Sequence, residues 1–144
     1  MIVGLGEGDI LDGPERHVAF AVNTLGENPF GARVDFLGAP LVPKFWPEVG
    51  PSGSLSLGNI FSGNTGKRVF HALVVHSPQG GWGGAPERIE ACFNALRIPT
   101  DQEVAAVVMG DGPLNQRNGA DTIANLQAMD RSSKPVVVYG LWQA

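Results

Sequence analysis

Apolar and polar positions alternate between two periods along this chain, and the period changes at glycine and proline clusters. The clearest unit spans residues 104–140. It opens on an unbroken apolar run at 104–109, breaks at Gly110-Asp111-Gly112-Pro113, continues with helical spacing and closes on a second apolar run at 136–139. Strand, glycine loop, helix and strand over about 30 residues is the pattern of a parallel crossover. The loop after its first strand falls at the carboxyl edge of the sheet, where backbone N–H groups can face an anion such as phosphate.

The same reading predicts a short strand at 1–5, interrupted by Gly4, Gly6 and Gly8, with a turn beginning at Gly8-Asp9-Ile10-Leu11. Residues 17–23 (HVAFAVN) are apolar at successive positions, which predicts a strand buried on both faces. Four prolines between 38 and 58 argue against a long helix there, and Phe45-Trp46 within it reads as local packing. Residues 54–61 alternate like a half-buried strand, 62–66 read as a turn, and 69–76 form the second arm of a hairpin. Pro86-Glu87 starts a helix with Ile89, Cys92, Phe93 and Leu96 on its apolar face. In the last helix, Thr122, Ile123, Leu126 and Met129 form the expected inward face. Strands with interspersed helices predict an α/β class, a three-layer α/β/α sandwich with a mixed sheet.

Composition narrows the function. At 144 residues the chain suits one domain, 1–144, and 43% apolar with 17% charged residues is a folding composition. A net charge of −4 argues against coating nucleic acid by bulk charge, while leaving room for one anionic ligand held by backbone amides. Cys92 is the only cysteine, which excludes an intrachain disulfide and a Cys-rich zinc site and fits a reducing compartment. No apolar run is long enough to cross a bilayer and the first residues lack a signal-peptide pattern, so a cytoplasmic location without a membrane partner is expected. His17, His71 and His76 lack metal-ligand spacing and read as core or strand-end residues. Cys92 reads as core, Ser77 lacks a nucleophile-elbow context, and the glycines at 80–84 are not followed by Gly-Lys-Ser.

Six short stretches, in order, resemble the macro domains that bind ADP-ribose: Gly8-Asp9-Ile10-Leu11, Phe20-Ala21-Val22-Asn23, Gly31-Ala32-Arg33-Val34-Asp35, Leu73-Val74-Val75-His76 with Pro78, Val108-Met109-Gly110-Asp111-Gly112, and Val137-Val138-Tyr139. The nearer likeness is to the branch of terminal ADP-ribose glycohydrolases and bacterial antitoxins that remove ADP-ribose from DNA. It lies in Val22-Asn23-Thr24, the 54–76 hairpin and the helix before the last strand. The resemblance implies a binding cleft for ADP-ribose or an ADP-ribosylated macromolecule, with no further cofactor and no metal. Asp9 would read adenine, and the glycine loops at Gly31 and at Gly110 and Gly112 would hold the diphosphate. Ile10, Ala32, Val34 and Leu114 would also contact the ligand, and Asp111, facing away from the diphosphate, could help to place water. Asn23 would face the distal ribose, and Tyr139 would stack near the base or serve as a core tyrosine. Asn23 and Asp35 would place water for hydrolysis of the ADP-ribosyl linkage. No lysine stands at 59–61 and no aspartate at 114–115, so the branch's covalent-lysine mechanism is not implied. A non-catalytic ADP-ribose reader and a macro-fold partner-binding protein are the alternatives.

Overall fold

In a computed structural model, the chain is described at residues 1–24, 56–64, 66–76, 86–108 and 119–141. The elements are β1 (Ile2–Asp9), a one-turn 3₁₀ helix (Ile10–Asp12), β2 (His17–Asn23), β3 (Ile60–Asn64), β4 (Val69–His76), α1 (Pro86–Ala95), β5 (Val104–Ala106), α2 (Gly119–Arg131) and β6 (Val136–Leu141). The strands form one six-stranded sheet in the order β1-β6-β5-β2-β4-β3. All neighbours are parallel except β3, which runs antiparallel on β4. This is the expected α/β class with a mixed sheet.

Because the central strands are covered on both faces, their residues are apolar at every position. In β2, Val18, Phe20 and Val22 enter one core while Ala19 and Ala21 enter the other. The second core holds Ile89, Cys92 and Phe93 of α1, with Leu96 just beyond it, and Ala128 and Met129 of α2. Alanines at 19, 21, 106 and 128 let both helices approach this face closely. On the opposite face Ile10 of the 3₁₀ turn is fully buried among Val18, Phe20, Phe70 and Tyr139. Cys92 is a core residue as expected; its Sγ lies 3.7 Å from the Gly58 carbonyl, and burial pushes the thiol up to about 11.

Four elements differ from the sequence expectation. β1 does not stop at its glycines but continues to Asp9, because β6 supplies its pairing as far as Leu141. The first arm of the hairpin is 60–64 rather than 54–61, so Ser62, Gly63 and Asn64 are strand and not turn. Gly58, with φ +89, sits in a turn just before β3; Gly66 with φ +97 and the bond from its N–H to Asn64 Oδ1 (2.7 Å) help the chain to bend after Asn64. β5 is assigned only at Val104–Ala106, with Val107 and Val108 following outside it, and Met109 lies beyond the described residues. In α2 the buried stripe is Asn125, Ala128 and Met129 with Leu126 at its margin, while Ile123 is 56% exposed. Packing against α1 turned the helix towards its smaller residues; the Thr122 side chain lies outside the described residues. No helix among the described residues is long and apolar enough to cross a membrane.

Candidate functional site

Since β1, β6, β5, β2 and β4 all run the same way, their carboxyl ends share one edge. Asp9, Leu141, Ala106, Asn23 and His76 close the respective strands there. The sheet order also contains a reversal. From β2 the chain goes on to β3 and β4 on one side of it, whereas from β5 it goes on to β6 on the other. Such a switch point opens a crevice beyond the ends of β2 and β5, the place where open α/β sheets bind ligands. The chain leaves both strands towards segments that carry Gly31, Ala32, Val34 and Asp35, and Gly110, Asp111, Gly112 and Leu114. All eight of these residues lie outside the described residues.

Asp9 is described in full and stands at this edge, paired in register with Leu141. It caps the 3₁₀ turn: its Oδ1 accepts from the Leu11 N–H at 3.0 Å, as a short polar side chain does at a helix start. Its backbone remains extended, with φ −81 and ψ 132, so the chain turns only at Ile10. Ile10 is buried, which leaves its backbone rather than its side chain for a ligand. Asn23 ends β2 at the switch point; its backbone alone is described.

Beneath the turn lies a group that the sequence did not reveal. Arg68, just before β4, donates from Nη1 to the carbonyls of Ile10 (2.8 Å) and Leu11 (3.2 Å) and from Nε to that of Glu15 (2.7 Å). Its Nη2 is 3.9 Å from Glu15 Oε1, and the same oxygen accepts from the Tyr139 hydroxyl at 2.7 Å. Burial lowers the Arg68 guanidinium, while the Glu15 charge opposes that shift. Burial, and then Glu15, pushes the Tyr139 phenol up to about 12, so it remains a neutral donor. Tyr139 is only 3% exposed and packs in the core. Arg68 and Glu15 carry no short motif, and only the long-range contacts of the fold identify them.

The opposite, amino edge has its own polar features. A cavity of about 250 Å³ is lined by Pro14, Glu15, Arg16, Asp101, Gln102 and Glu103. Three carboxylates make it a poor place for a diphosphate. His17 and His71 are buried beside it, consistent with core histidines, and no metal-binding group of His, Cys, Asp and Glu occurs among the described residues.

No protein-family model and no curated protein matches the sequence. Solved structures do match, and they define the class: the chain has the macrodomain fold. It is similar to the macrodomain of Mycobacterium tuberculosis DarG at 19% identity and TM-score 0.64, covering 96% of this chain and 97% of that one. For the macrodomain of Thermus aquaticus DarG the values are 16% and 0.61, covering 100% and 99%. An alphavirus P23pro-zbd structure is similar at 18% and 0.51, covering 94% of this chain and 22% of that one.

Proposed function

We propose that this protein binds ADP-ribose, or a derivative with the same adenosine diphosphate part, in the carboxyl-edge crevice. The observation that carries the reading is the capped turn at Asp9: a part-buried carboxylate whose orientation is fixed by the Leu11 N–H, on the edge shared with Asn23 and the switch point. A carboxylate in that position accepts from the amino group of adenine, and the adjoining Ile10 backbone can address the ring. The glycine-containing stretches around Gly31 and Gly110-Asp111-Gly112 supply amides for the diphosphate, with Ala32, Val34 and Leu114 beside it. Asn23 contacts the distal ribose, whose hydroxyls suit an amide that both donates and accepts.

For turnover, Asp35 and Asn23 place a water against the anomeric carbon of an ADP-ribosyl linkage, and a carboxylate there stabilises the oxocarbenium character of the transition state. The residues at 59–61 contain no lysine, so the hydrolysis runs through water rather than a covalent lysine adduct. The second reading is a module that binds ADP-ribose without releasing it, favoured by the same lack of lysine.

Calorimetric titration with ADP-ribose, AMP and NAD, on the wild type and Asp9→Ala, tests the site. Micromolar binding of ADP-ribose, about −8 kcal/mol, should weaken at least tenfold in the variant. Absence of heat and of thermal shift at millimolar ADP-ribose would refute the reading. Release of ADP-ribose from a modified macromolecule, lost in Asp35→Ala, separates the hydrolase from the reader.

A further inference from the structure

We infer that Arg68 is a positioning residue for the adenine end of this site, acting through the 3₁₀ turn that begins at Asp9. The inference rests on the reading of Asp9 given above. A single 3₁₀ turn does not hold itself together in water, so its ends must be held by other groups. At its start Asp9 Oδ1 takes the Leu11 N–H, and at its end the Gly13 N–H closes on the Ile10 carbonyl at 3.2 Å. Arg68 takes the second lone pair of that carbonyl and the next carbonyl, Leu11, with one nitrogen. With another it takes Glu15, beyond Gly13-Pro14. One planar cation thus ties both sides of the bend to the start of β4. A lysine, a point charge with no fixed fork, would not replace it.

The anchor is itself held in place. Glu15 is fixed by the Tyr139 hydroxyl as well as by Arg68, and the carbonyl of Arg16, the next residue, accepts from the Val69 N–H at 2.7 Å. The path from Arg68 to the Asp9 carboxylate is therefore two hydrogen bonds long, through Leu11, whose carbonyl meets Arg68 and whose N–H meets Asp9. Without Arg68 the turn frays, and the carboxylate must be ordered anew each time a ligand binds. Affinity then falls for ligands that use Asp9, and for that reason only.

A double-mutant cycle on ADP-ribose affinity tests this, using the wild type, Asp9→Ala, Arg68→Met and the double variant, with thermal unfolding of each. The expected result is a loss of about tenfold for Arg68→Met in the wild-type background and less than about twofold in Asp9→Ala, a coupling that a merely structural role would not produce. In the free protein, hydrogen exchange at the Leu11 amide should quicken in Arg68→Met while that at Val138 stays unchanged. Equal losses in both backgrounds, or none, would overturn the inference and leave the Asp9 reading intact. Unchanged binding in Asp9→Ala would remove that reading and this inference with it. Should Arg68→Met not fold, Tyr139→Phe, which deletes only the hydroxyl bond to Glu15, enters the same cycle. The same coupling at about threefold supports the inference, and additive effects overturn it.

Discussion

Gln102, His17, His71 and Ser62 form a hydrogen-bonded row near the amino edge of the sheet. Gln102 Oε1 meets His17 Nε2 at 2.9 Å, His17 Nδ1 meets His71 Nε2 at 3.0 Å, and His71 Nδ1 meets Ser62 Oγ at 2.6 Å. The amide oxygen only accepts, so each proton is assigned in turn: His17 carries its hydrogen on Nε2, His71 donates from Nε2, and Ser62 donates to His71 Nδ1. Both rings are neutral and stacked, with centroids 5.2 Å apart. Burial, and then the neighbouring His17, lowers His71 to about 4 from 6.5; burial also lowers His17. The unfolded chain therefore binds a proton in a pH range where the native chain does not. The resulting stabilisation is complete above pH 6.5 and declines as pH falls towards 4, by roughly 3 kcal/mol from His71 alone. An imidazole NMR titration with urea unfolding at pH 7 and pH 4.5 checks it, and a His71 that titrates near 6.5 contradicts it. Gly6 gives a second test at this scale. A Cβ there would overlap the Tyr139 ring, whereas one at Gly4 would meet nothing. Gly6→Ala should cost about 1–3 kcal/mol in urea unfolding and Gly4→Ala less than about 1 kcal/mol.

The helices test the packing. Met129 is fully buried and Ile123 is 56% exposed, although the sequence pattern groups both on the inward face through Leu126. Met129→Ala should lose about 2–5 kcal/mol and Ile123→Ala less than about 0.5 kcal/mol, by chemical denaturation. Reversed magnitudes would mean that the helix is rotated from the arrangement described. The α1–α2 pair Arg131 Nε–Glu90 Oε1, at 2.6 Å, is solvent-facing and adds less than about 1 kcal/mol, diminishing with salt. Elements with a strong apolar period, such as β2, β4, β6 and the apolar face of α1, are legible in the amino-acid sequence. The hairpin register and the α2 face are not. A five-residue strand follows the partner it pairs with and the two glycines that bound it, and a helix with alanine and asparagine on its buried side shows little periodicity to read.

Over the whole molecule, strand order creates the carboxyl-edge crevice in which ligand binding is proposed. Perturbation of amide NMR signals by ADP-ribose should cluster at residues 9–11, 23 and 106–108 on the carboxyl edge and spare His17, Asp101 to Glu103 and Val136 on the amino edge. Shifts centred on the acidic amino-edge cavity would place the ligand elsewhere. Several determinants are present in the sequence alone: the α/β class, the central strands, Cys92 as a core residue and Asp9 at an element boundary. All of these depend on local spacing, on glycine and proline positions, and on the burial that an apolar run requires. The rest depends on the assembled sheet. Only there do residues 9, 23 and 106 reach one edge, does Arg68 meet carbonyls more than fifty positions away, and does Tyr139 lie beneath Gly6 and Gly13. Such contacts join segments remote in sequence, and no local pattern encodes a partner that the chain meets only once it has closed.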